Sequence, residues 1–263
     1  MITVNQCEYK SLVFSGGEVH VNISGVQMYP KNRIFALLRN SNDIMELLLV
    51  CNAIKETGRG LSILEIPYIP YARQDRVCSE GDAFSLKVFA ELINNLGFEK
   101  IIGWDAHSDV TGALINNYKN IPQEIIIPDE LGMSVDYICI PDAGAIKKSF
   151  NVQKVLDIKK SILATKHRDL ITGEITHTEI YCDDLKNRDI LIVDDICDGG
   201  RTFIELAKKL RKKGAGKIKL FITHGIFSKG IDVFDGWIDQ IFTTQSMCNI
   251  KHDRLTIIGG EDV

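Results

Sequence analysis

The stretch 190-ILIVDDICDGGRTF-203 decides how this chain folds. Its first four residues are apolar and aliphatic, which is typical of a buried strand, and the segment RTFIELAKKLRKKG that starts at Arg201 has the periodicity of an amphipathic helix. Asp194, Asp195, Asp198 and two glycines lie between them. A buried strand that passes through a glycine turn into a helix is the repeating unit of an α/β protein with a mainly parallel sheet.

The same alternation occupies the rest of the chain. One helix is predicted from the cap residues 41–43 to Gly58, with one face carrying Met45, Leu48, Leu49 and Ala53. Further strands are predicted at LSILEIPYIP (61–70), IIGWDAH (101–107), YICIPDAG (137–144) and KIKLFITHG (217–225), a strand pair at LVFSGGEVHVNI (12–23), and a helix at FSLKVFAELINNLG (84–97).

The two halves of the chain have a similar order of elements. Each contains a strand that runs into an Asp-containing turn, WDAHS in the first and VDDICDGG in the second. The pattern predicts two related α/β domains, residues 1–124 and 125–263, joined through the less periodic segment IPQEIIIPDELGM.

Composition narrows the function classes. The 263 residues are 45% hydrophobic and 25% charged, enough to bury a core, and the net charge of −4 argues against a nucleic-acid partner. No apolar run reaches the roughly 18 residues of a membrane helix, and the first ten residues lack a basic segment followed by an apolar one. We therefore expect a cytoplasmic protein that acts on small molecules. Seven scattered cysteines without a Cys-x-x-Cys pair predict reduced, mostly buried thiols.

The turn at 194–202 has the chemistry of a phosphate and ribose site. Its glycines let backbone N–H groups approach an anion, the new helix offers its unpaired N–H groups, and Thr202 adds a hydroxyl. Paired acids can accept hydrogen bonds from ribose hydroxyls or hold Mg²⁺ through water. The alternative on local chemistry is a Walker-B-like acidic strand end followed by a helix cap.

This turn resembles the ribose-phosphate motif shared by type I phosphoribosyltransferases and phosphoribosyl pyrophosphate synthetases. The first half is similar to the synthetases alone: IPYIPYARQDR (66–76), the helix at 84–97 and WDAHS (104–108) match their PYARQDR segment, helix and DLH turn. NSNDIMELLLVCNAIK, FSGGEVHVNI, PDAG and THGIFS match further family segments, so the resemblance covers about residues 11 to 245. It implies two tandem type I phosphoribosyltransferase-like domains and the Mg²⁺-dependent transfer of the β,γ-diphosphate of ATP to the 1-hydroxyl of ribose 5-phosphate.

The resemblance also implies a role for each matching residue. Lys166 and Arg168 match the basic pair of the family's mobile catalytic loop, and His107 and Asp142 would lie at the magnesium and phosphate centre. Phe14 and Glu18 would contact adenine in a neighbouring subunit of a homo-oligomer, and Arg73 and Gln74 would engage ATP. The sugar phosphate would be held by Asp194, Asp195, Asp198, Gly199, Gly200, Arg201 and Thr202. His20, His177, His224 and His252 are expected to be structural.

The loop expected to bind the 5-phosphate differs from the family pattern, and this difference bears on which sugar accepts the diphosphate. The family's 5-phosphate loop usually reads Asp-Thr-x-Gly-Thr, whereas this chain has Asp-Gly-Gly-Arg-Thr from Asp198 to Thr202. Arg201 offers forked donors that suit a second phosphate, so an acceptor with a larger 5-substituent, such as ADP-ribose, is the first alternative. The simpler interpretation is that Arg201 points to solvent or pairs with Asp198.

Two other functions stay open from the sequence. A phosphoribosyltransferase that consumes phosphoribosyl pyrophosphate would explain the second-half motif but would give YARQDR and WDAHS no role. A non-catalytic subunit associated with a synthetase would be expected to lack the loop cations, yet Lys166, Arg168 and His107 are all present.

Overall fold

The computed structural model describes residues 1–168 and 175–259; the side chains of residues 133–134, 166–168 and 175–178 lie outside that description. The chain divides into two compact units, Met1–Ile121 and Pro122–Val263. In each unit helices connect the strands of a mainly parallel sheet. The predicted α/β class is confirmed.

The first unit consists of a five-stranded sheet, a hairpin and three helices among its described residues. In the sheet, β1 pairs antiparallel with β4, and the remaining neighbours in the order β1-β4-β5-β6-β7 are parallel. The elements are β1 (Ile2–Val4), β2 (Lys10–Val13), β3 (Val19–Asn22), β4 (Lys31–Ala36), α1 (Ser41–Glu56), β5 (Gly60–Glu65), α2 (Ser85–Asn94), β6 (Lys100–Trp104), α3 (Val110–Leu114) and β7 (Tyr118–Ile121). The hairpin pairs β2 with β3.

The second unit is built on a seven-stranded sheet in the order β10-β9-β8-β11-β12-β13-β14. Only the β9–β10 pair is antiparallel among the described strands. The elements are α4 (Gln123–Ile126), β8 (Tyr137–Ile140), α5 (Ile146–Val155), β9 (Lys160–Arg168), β10 (Ile175–Tyr181), β11 (Ile190–Cys197), α6 (Arg201–Lys212), β12 (Ile218–Gly225), β13 (Gln240–Thr244) and β14 (Leu255–Ile258), with short 3-10 turns at Asp129–Ser134, Ala143–Ala145 and Asp232–Phe234.

Helix α1 begins as predicted but buries a different face. Asn40 and Asp43 form a capping box, in which the Asn40 side chain accepts from the Asp43 amide and the Asp43 side chain accepts from the Asn40 amide. The buried residues are Leu47, Val50, Cys51 and Ile54, whereas the predicted Met45 is half exposed. The predicted face was wrong because apolar residues surround most of this helix, so periodicity alone does not select the side that packs on the sheet.

Two predicted strands are shorter than their apolar runs. Strand β5 ends at Glu65 although the run continues to residue 70, because Pro67 and Pro70 lack the N–H that a sheet requires. Strand β6 ends at Trp104, and the next residue, Asp105, turns the chain with a φ of 39°. Each of these two strands is followed by a turn that carries predicted site residues.

The sheet of the second unit reverses its winding between β8 and β11. From β8 the chain continues to β9 on one side, and from β11 it continues to β12 on the other. The carboxyl ends of two parallel strands that part in this way leave a crevice, which is where open α/β sheets bind ligands. The turns after β8 and β11 therefore border the expected ligand crevice of this sheet.

All seven cysteines are free thiols, as predicted. Four of them are buried, at positions 51, 139, 197 and 248. Burial raises the pKa of Cys51 and of Cys197 to about 12, so both thiols stay protonated at neutral pH.

Candidate active site

The loop between β11 and α6 has the form of an anion cradle. Gly200 has a φ of +77° and precedes the first residue of α6, and a Cβ at this position would lie 2.5 Å from the ring of the buried Phe234. Only glycine meets both conditions. The amides of Arg201 and Thr202 open the helix and have no acceptor in the described part of the chain, so they face outward with the positive end of the helix dipole.

Arg201 stands beside this cradle as an exposed cation. Within the described residues it forms no ion pair with Asp198. Its charge contributes to the lowered pKa of Glu205, one turn along the helix, for which the hydrogen bond from Lys208 is the largest cause. Asp198 is instead bonded by the Ser228 hydroxyl. Of the two forms of the simpler interpretation, the pairing with Asp198 is not found among the described residues, and the other is: the side chain of Arg201 is exposed to solvent next to the glycine loop.

The two acids at the end of β11 have different surroundings. Asp194 is half-buried, and its Oδ1 accepts from the amide of Asp195 at 3.0 Å. Asp195 is buried, accepts from the Ile196 amide at 2.9 Å, and has Lys148 Nζ of helix α5 at 3.8 Å from its Oδ2. Helix α5 therefore supplies a cation to the buried carboxylate of Asp195.

Asp142 lies on the neighbouring strand end. Strands β8 and β11 pair in parallel with Cys139 opposite Ile192, so Asp142 and Asp195 each follow this pair by three residues. The Oδ1 atom of Asp142 accepts from the amide of Ala145 at 3.1 Å, which caps the 3-10 turn after the strand. The structure thus brings Asp142 to the same edge of the sheet as the acids of β11, as the sequence predicts for turns after adjacent strands.

A buried amide supports this edge from inside. Gln123 is 1% exposed, and its Nε2 donates to the carbonyl of Asp194 at 2.7 Å and to the hydroxyl of Thr223 at 3.0 Å. Thr223 belongs to a buried polar group that includes Thr244 and Ser246, whose hydroxyls both donate to the Thr223 carbonyl. His224 joins it through Ser246, at 2.8 Å, which supports the structural role expected for this histidine.

In the first unit, Asp75 of the PYARQDR segment lies near the turn after β6. Asp75 is buried and its Oδ1 accepts from Arg76 Nε at 2.7 Å. The hydrogen bond from Arg76 is the largest effect that lowers the pKa of Asp75 to about 2, with smaller contributions from Ser108 and the charge of His107. The PYARQDR segment and the WDAHS turn therefore lie close together.

The predicted ATP contacts of the first unit are accessible. Arg73, Gln74 and His107 are exposed on the two turns that Asp75 connects. Phe14 and Glu18 lie elsewhere, at the tip of the β2–β3 hairpin, where the Phe14 amide donates to the Glu18 carbonyl at 2.8 Å. Phe14 is about half exposed, so its ring is not part of the core.

The predicted catalytic cations Lys166 and Arg168 lie near the carboxyl end of β9. Their backbones pair with Thr178 and Ile175 of the antiparallel β10. Their side chains lie outside the described part of the structure, so their roles stay predictions.

Four contributors were missed from the sequence. Lys148, Gln123, Asp75 and Ser228 all act through contacts with predicted residues or segments. Asp75 stands inside a quoted motif and Ser228 within THGIFS, so attention to every polar residue of those motifs would have found them. Lys148 and Gln123 have no local signal, because their partners are far away in sequence.

The comparisons with known proteins agree with this architecture. Residues 2–97 match the family model for the N-terminal domain of ribose phosphate pyrophosphokinase, and residues 176–255 match the phosphoribosyl synthetase-associated domain. The solved phosphoribosylpyrophosphate synthetase of Mycobacterium smegmatis superposes with a TM-score of 0.78 at 19% identity, covering 96% of this chain and 86% of that one. This likeness confirms the type I phosphoribosyltransferase-like fold.

Relatives found by sequence align with most of this chain and with most of their own length. The ribose-phosphate pyrophosphokinase of Mycoplasmopsis pulmonis is 28% identical over 94% of this chain and 80% of its own length. That of Pyrococcus furiosus is 30% identical over 78% of this chain and 73% of its own. None of the helices in the described residues is long and apolar enough for a membrane span. The chain belongs to the ribose-phosphate pyrophosphokinase family.

Proposed function

We propose that this protein transfers the β,γ-diphosphate of ATP to the anomeric 1-hydroxyl of ribose 5-phosphate and releases phosphoribosyl pyrophosphate and AMP. The observation that carries the proposal is the edge of the second sheet, where a glycine cradle, two acids and Asp142 follow adjacent strands in a chain of this family. The sugar oxygen bonds to the β-phosphorus, the bond from that phosphorus to the α,β-bridging oxygen breaks, and the hydroxyl proton leaves to solvent. Such a transfer needs positioning and charge neutralisation, with no covalent nucleophile.

On this proposal the second unit binds the acceptor. The amides of Arg201 and Thr202 receive the 5-phosphate, with Asp198, Gly199 and Gly200 forming the loop around it. Asp194 and Asp195 accept hydrogen bonds from the two ribose hydroxyls, which fixes the ring and directs the 1-hydroxyl. The ion pair from Lys148 supports Asp195 in this role because a cation 3.8 Å away holds the carboxylate in its orientation.

The ATP contacts are proposed from the first unit and from the basic pair of the second. Arg73, Gln74 and His107 are accessible on two turns that meet, and they would bind the nucleotide's phosphates. Lys166 and Arg168 would neutralise charge on the transferred diphosphate in the transition state. These roles follow from the family resemblance and from the exposure of the residues in the first unit.

Magnesium fits the residues that are present. Mg²⁺ is usually held by one or two carboxylates, several waters and substrate phosphates, so a single carboxylate such as Asp142 suits it. His107 offers nitrogen, a poorer ligand for this ion, and its role at the metal stays a prediction from the resemblance. When bound, the ion would neutralise phosphate charge and orient the diphosphate.

The test is a mass-resolved assay of purified protein with ATP, Mg²⁺ and ribose 5-phosphate. Equal amounts of AMP and phosphoribosyl pyrophosphate are expected, abolished by chelation and reduced strongly in the double variant Lys166→Ala/Arg168→Ala. Lys147→Ala, an exposed lysine next to Lys148, serves as the control. Formation of AMP without a sugar diphosphate, or consumption of phosphoribosyl pyrophosphate in the presence of a base, would contradict the proposal.

The exposed guanidinium of Arg201 favours a second candidate acceptor. Because it is free of Asp198, it is available to a second phosphate on a larger 5-substituted ribose such as ADP-ribose. In the same assay, ADP-ribose is offered in parallel, and Arg201→Gly is compared with the unchanged protein. An unaltered preference between the two sugars in this variant would remove the basis for the larger acceptor.

We also propose that the protein works as a homo-oligomer with shared adenine sites. The β2–β3 hairpin exposes Leu12, Val13 and Phe14 by 47%, 58% and 52%, and we propose that a second copy covers part of this apolar surface. Val13→Asp is expected to shift the protein toward monomers in sedimentation velocity and to lower activity with it. A monomer that keeps full activity across dilution would contradict the shared site.

A further inference from the structure

The loop after β12 is bonded to the candidate phosphate loop along its length. The amides of Ile226 and Phe227 donate to the carbonyl of Cys197 at 2.8 and 3.2 Å, and the amide of Ser228 donates to the carbonyl of Asp198 at 3.2 Å. The Ser228 hydroxyl bonds the Asp198 side chain as well. The two loops are therefore held in one fixed arrangement.

This arrangement places Lys229 against the glycine of the cradle. A methyl group built at Gly199 would lie 3.5 Å from both Cδ and Cε of Lys229, so the end of the lysine side chain passes next to the loop. Lys229 is exposed and forms no ion pair or hydrogen bond in the described part of the chain. Its ammonium group is thus an unpaired cation, within the described residues, next to the loop that we propose binds the phosphate.

We propose that Lys229 is a further acceptor-binding residue, which contacts the 5-phosphate of the sugar beside Gly199. The inference rests on the proposed function, because it assumes that the cradle binds the sugar's 5-phosphate. It adds a residue from a different loop to the motif 198–202. Lysine suits this role because a flexible point charge with three donors adapts to a phosphate already fixed by backbone N–H groups.

The charge balance of the loop supports the assignment. Asp198 is the one carboxylate at the tip of the cradle, and its bond to Ser228 turns it toward the β12 loop. The loop has glycine where a hydroxyl of the usual Asp-Thr-x-Gly-Thr pattern would donate. On this proposal, the ammonium group of Lys229 replaces the hydroxyl donor that is absent at Gly199, and it adds a positive charge.

Kinetics on Lys229→Ala, Lys229→Arg and the control Lys217→Ala test the proposal. Lys217 is an exposed lysine before β12, at the opposite end of that strand from Lys229. We expect Lys229→Ala to raise the KM for ribose 5-phosphate about 10-fold, with kcat and the KM for ATP nearly unchanged, and Lys229→Arg to recover most of the loss. An unchanged KM for the sugar, or a loss shared equally by Lys217→Ala, would overturn the role.

Calorimetry with ribose 5-phosphate alone separates this inference from the proposed function. If the protein forms no phosphoribosyl pyrophosphate but binds the sugar phosphate, weaker binding by Lys229→Ala still supports the assignment, and equal binding overturns it. A protein that binds no ribose 5-phosphate would overturn both proposals together.

Discussion

The ammonium nitrogen of Lys148 lies 3.8 Å from a carboxylate oxygen of Asp195. Asp195 is 7% exposed, so water screens this charge poorly and a nearby cation stabilises it. Helix α5 thereby positions one of the two acids that we assign to the ribose hydroxyls, although Lys148 itself need not touch substrate. Lys148 is a positioning residue.

Removing this cation is expected to impair sugar binding more than folding. In Lys148→Ala, we expect kcat/KM for ribose 5-phosphate to fall about 10-fold, mainly through KM, while the free energy of unfolding changes by about 1 kcal/mol. Lys148→Arg should restore much of the loss, and Lys147→Ala should behave as the parent protein. A loss that appears only in stability, with unchanged KM, would contradict a positioning role.

The two adjacent glycines of the cradle should respond differently to alanine. Gly200→Ala places a methyl group 2.5 Å from the Phe234 ring at a φ of +77°, so we expect a loss of about 2–4 kcal/mol in unfolding free energy. Gly199→Ala meets only lysine methylene groups at 3.5 Å and should cost about 1 kcal/mol or less. Urea denaturation measures both, and similar losses would show that Phe234 does not constrain the loop.

The sequence predicted the structural features that depend only on residues close together in the chain. The run 190–203 yields strand β11, the glycine turn and helix α6, because periodicity, glycine and cap chemistry all act within a few residues. The order of motifs likewise predicted the family. In contrast, the face of α1 was predicted wrongly, because a helix with apolar residues around most of its surface is oriented only by what it packs against.

The supporting residues of the site had no such signal. Gln123 and Asp194 are 71 residues apart, and Lys148 and Asp195 are 47 residues apart, so only the folded sheet brings each pair together. A lone glutamine or lysine is by composition a surface residue. The sequence alone therefore showed the chemistry of the motifs but not the contacts between residues far apart in the chain.

Acid stability should depend on Asp75. Its pKa is lowered from 3.8 to about 2, chiefly by the hydrogen bond from Arg76, so the ionised side chain stabilises the fold above pH 3.8 and this contribution is lost as the pH falls toward 2. Asp75→Asn should therefore show a smaller decrease in stability than the parent protein between pH 5 and 2, by a difference on the order of 2 kcal/mol. Thermal unfolding across this range measures it, with Asp109→Asn, an exposed carboxylate, as the control. Parallel profiles for the parent and Asp75→Asn would contradict the assignment.

The buried amide of Gln123 should be coupled to Thr223. Gln123→Leu removes one hydrogen-bond donor from the Asp194 carbonyl and from the Thr223 hydroxyl, which is expected to cost about 1–3 kcal/mol of unfolding free energy. In Thr223→Val the hydroxyl is already absent, so adding Gln123→Leu should cost less there than in the parent protein. A double-mutant cycle in urea should give a coupling energy of about 1 kcal/mol. Because the Asp194 carbonyl adjoins the acids at the end of β11, the single variant Gln123→Leu should also raise the KM for the sugar phosphate. Additive energies in the cycle would mean that the two side chains stabilise the sheet edge independently, and the hydrogen bond between them would then carry no measurable part of the site's rigidity.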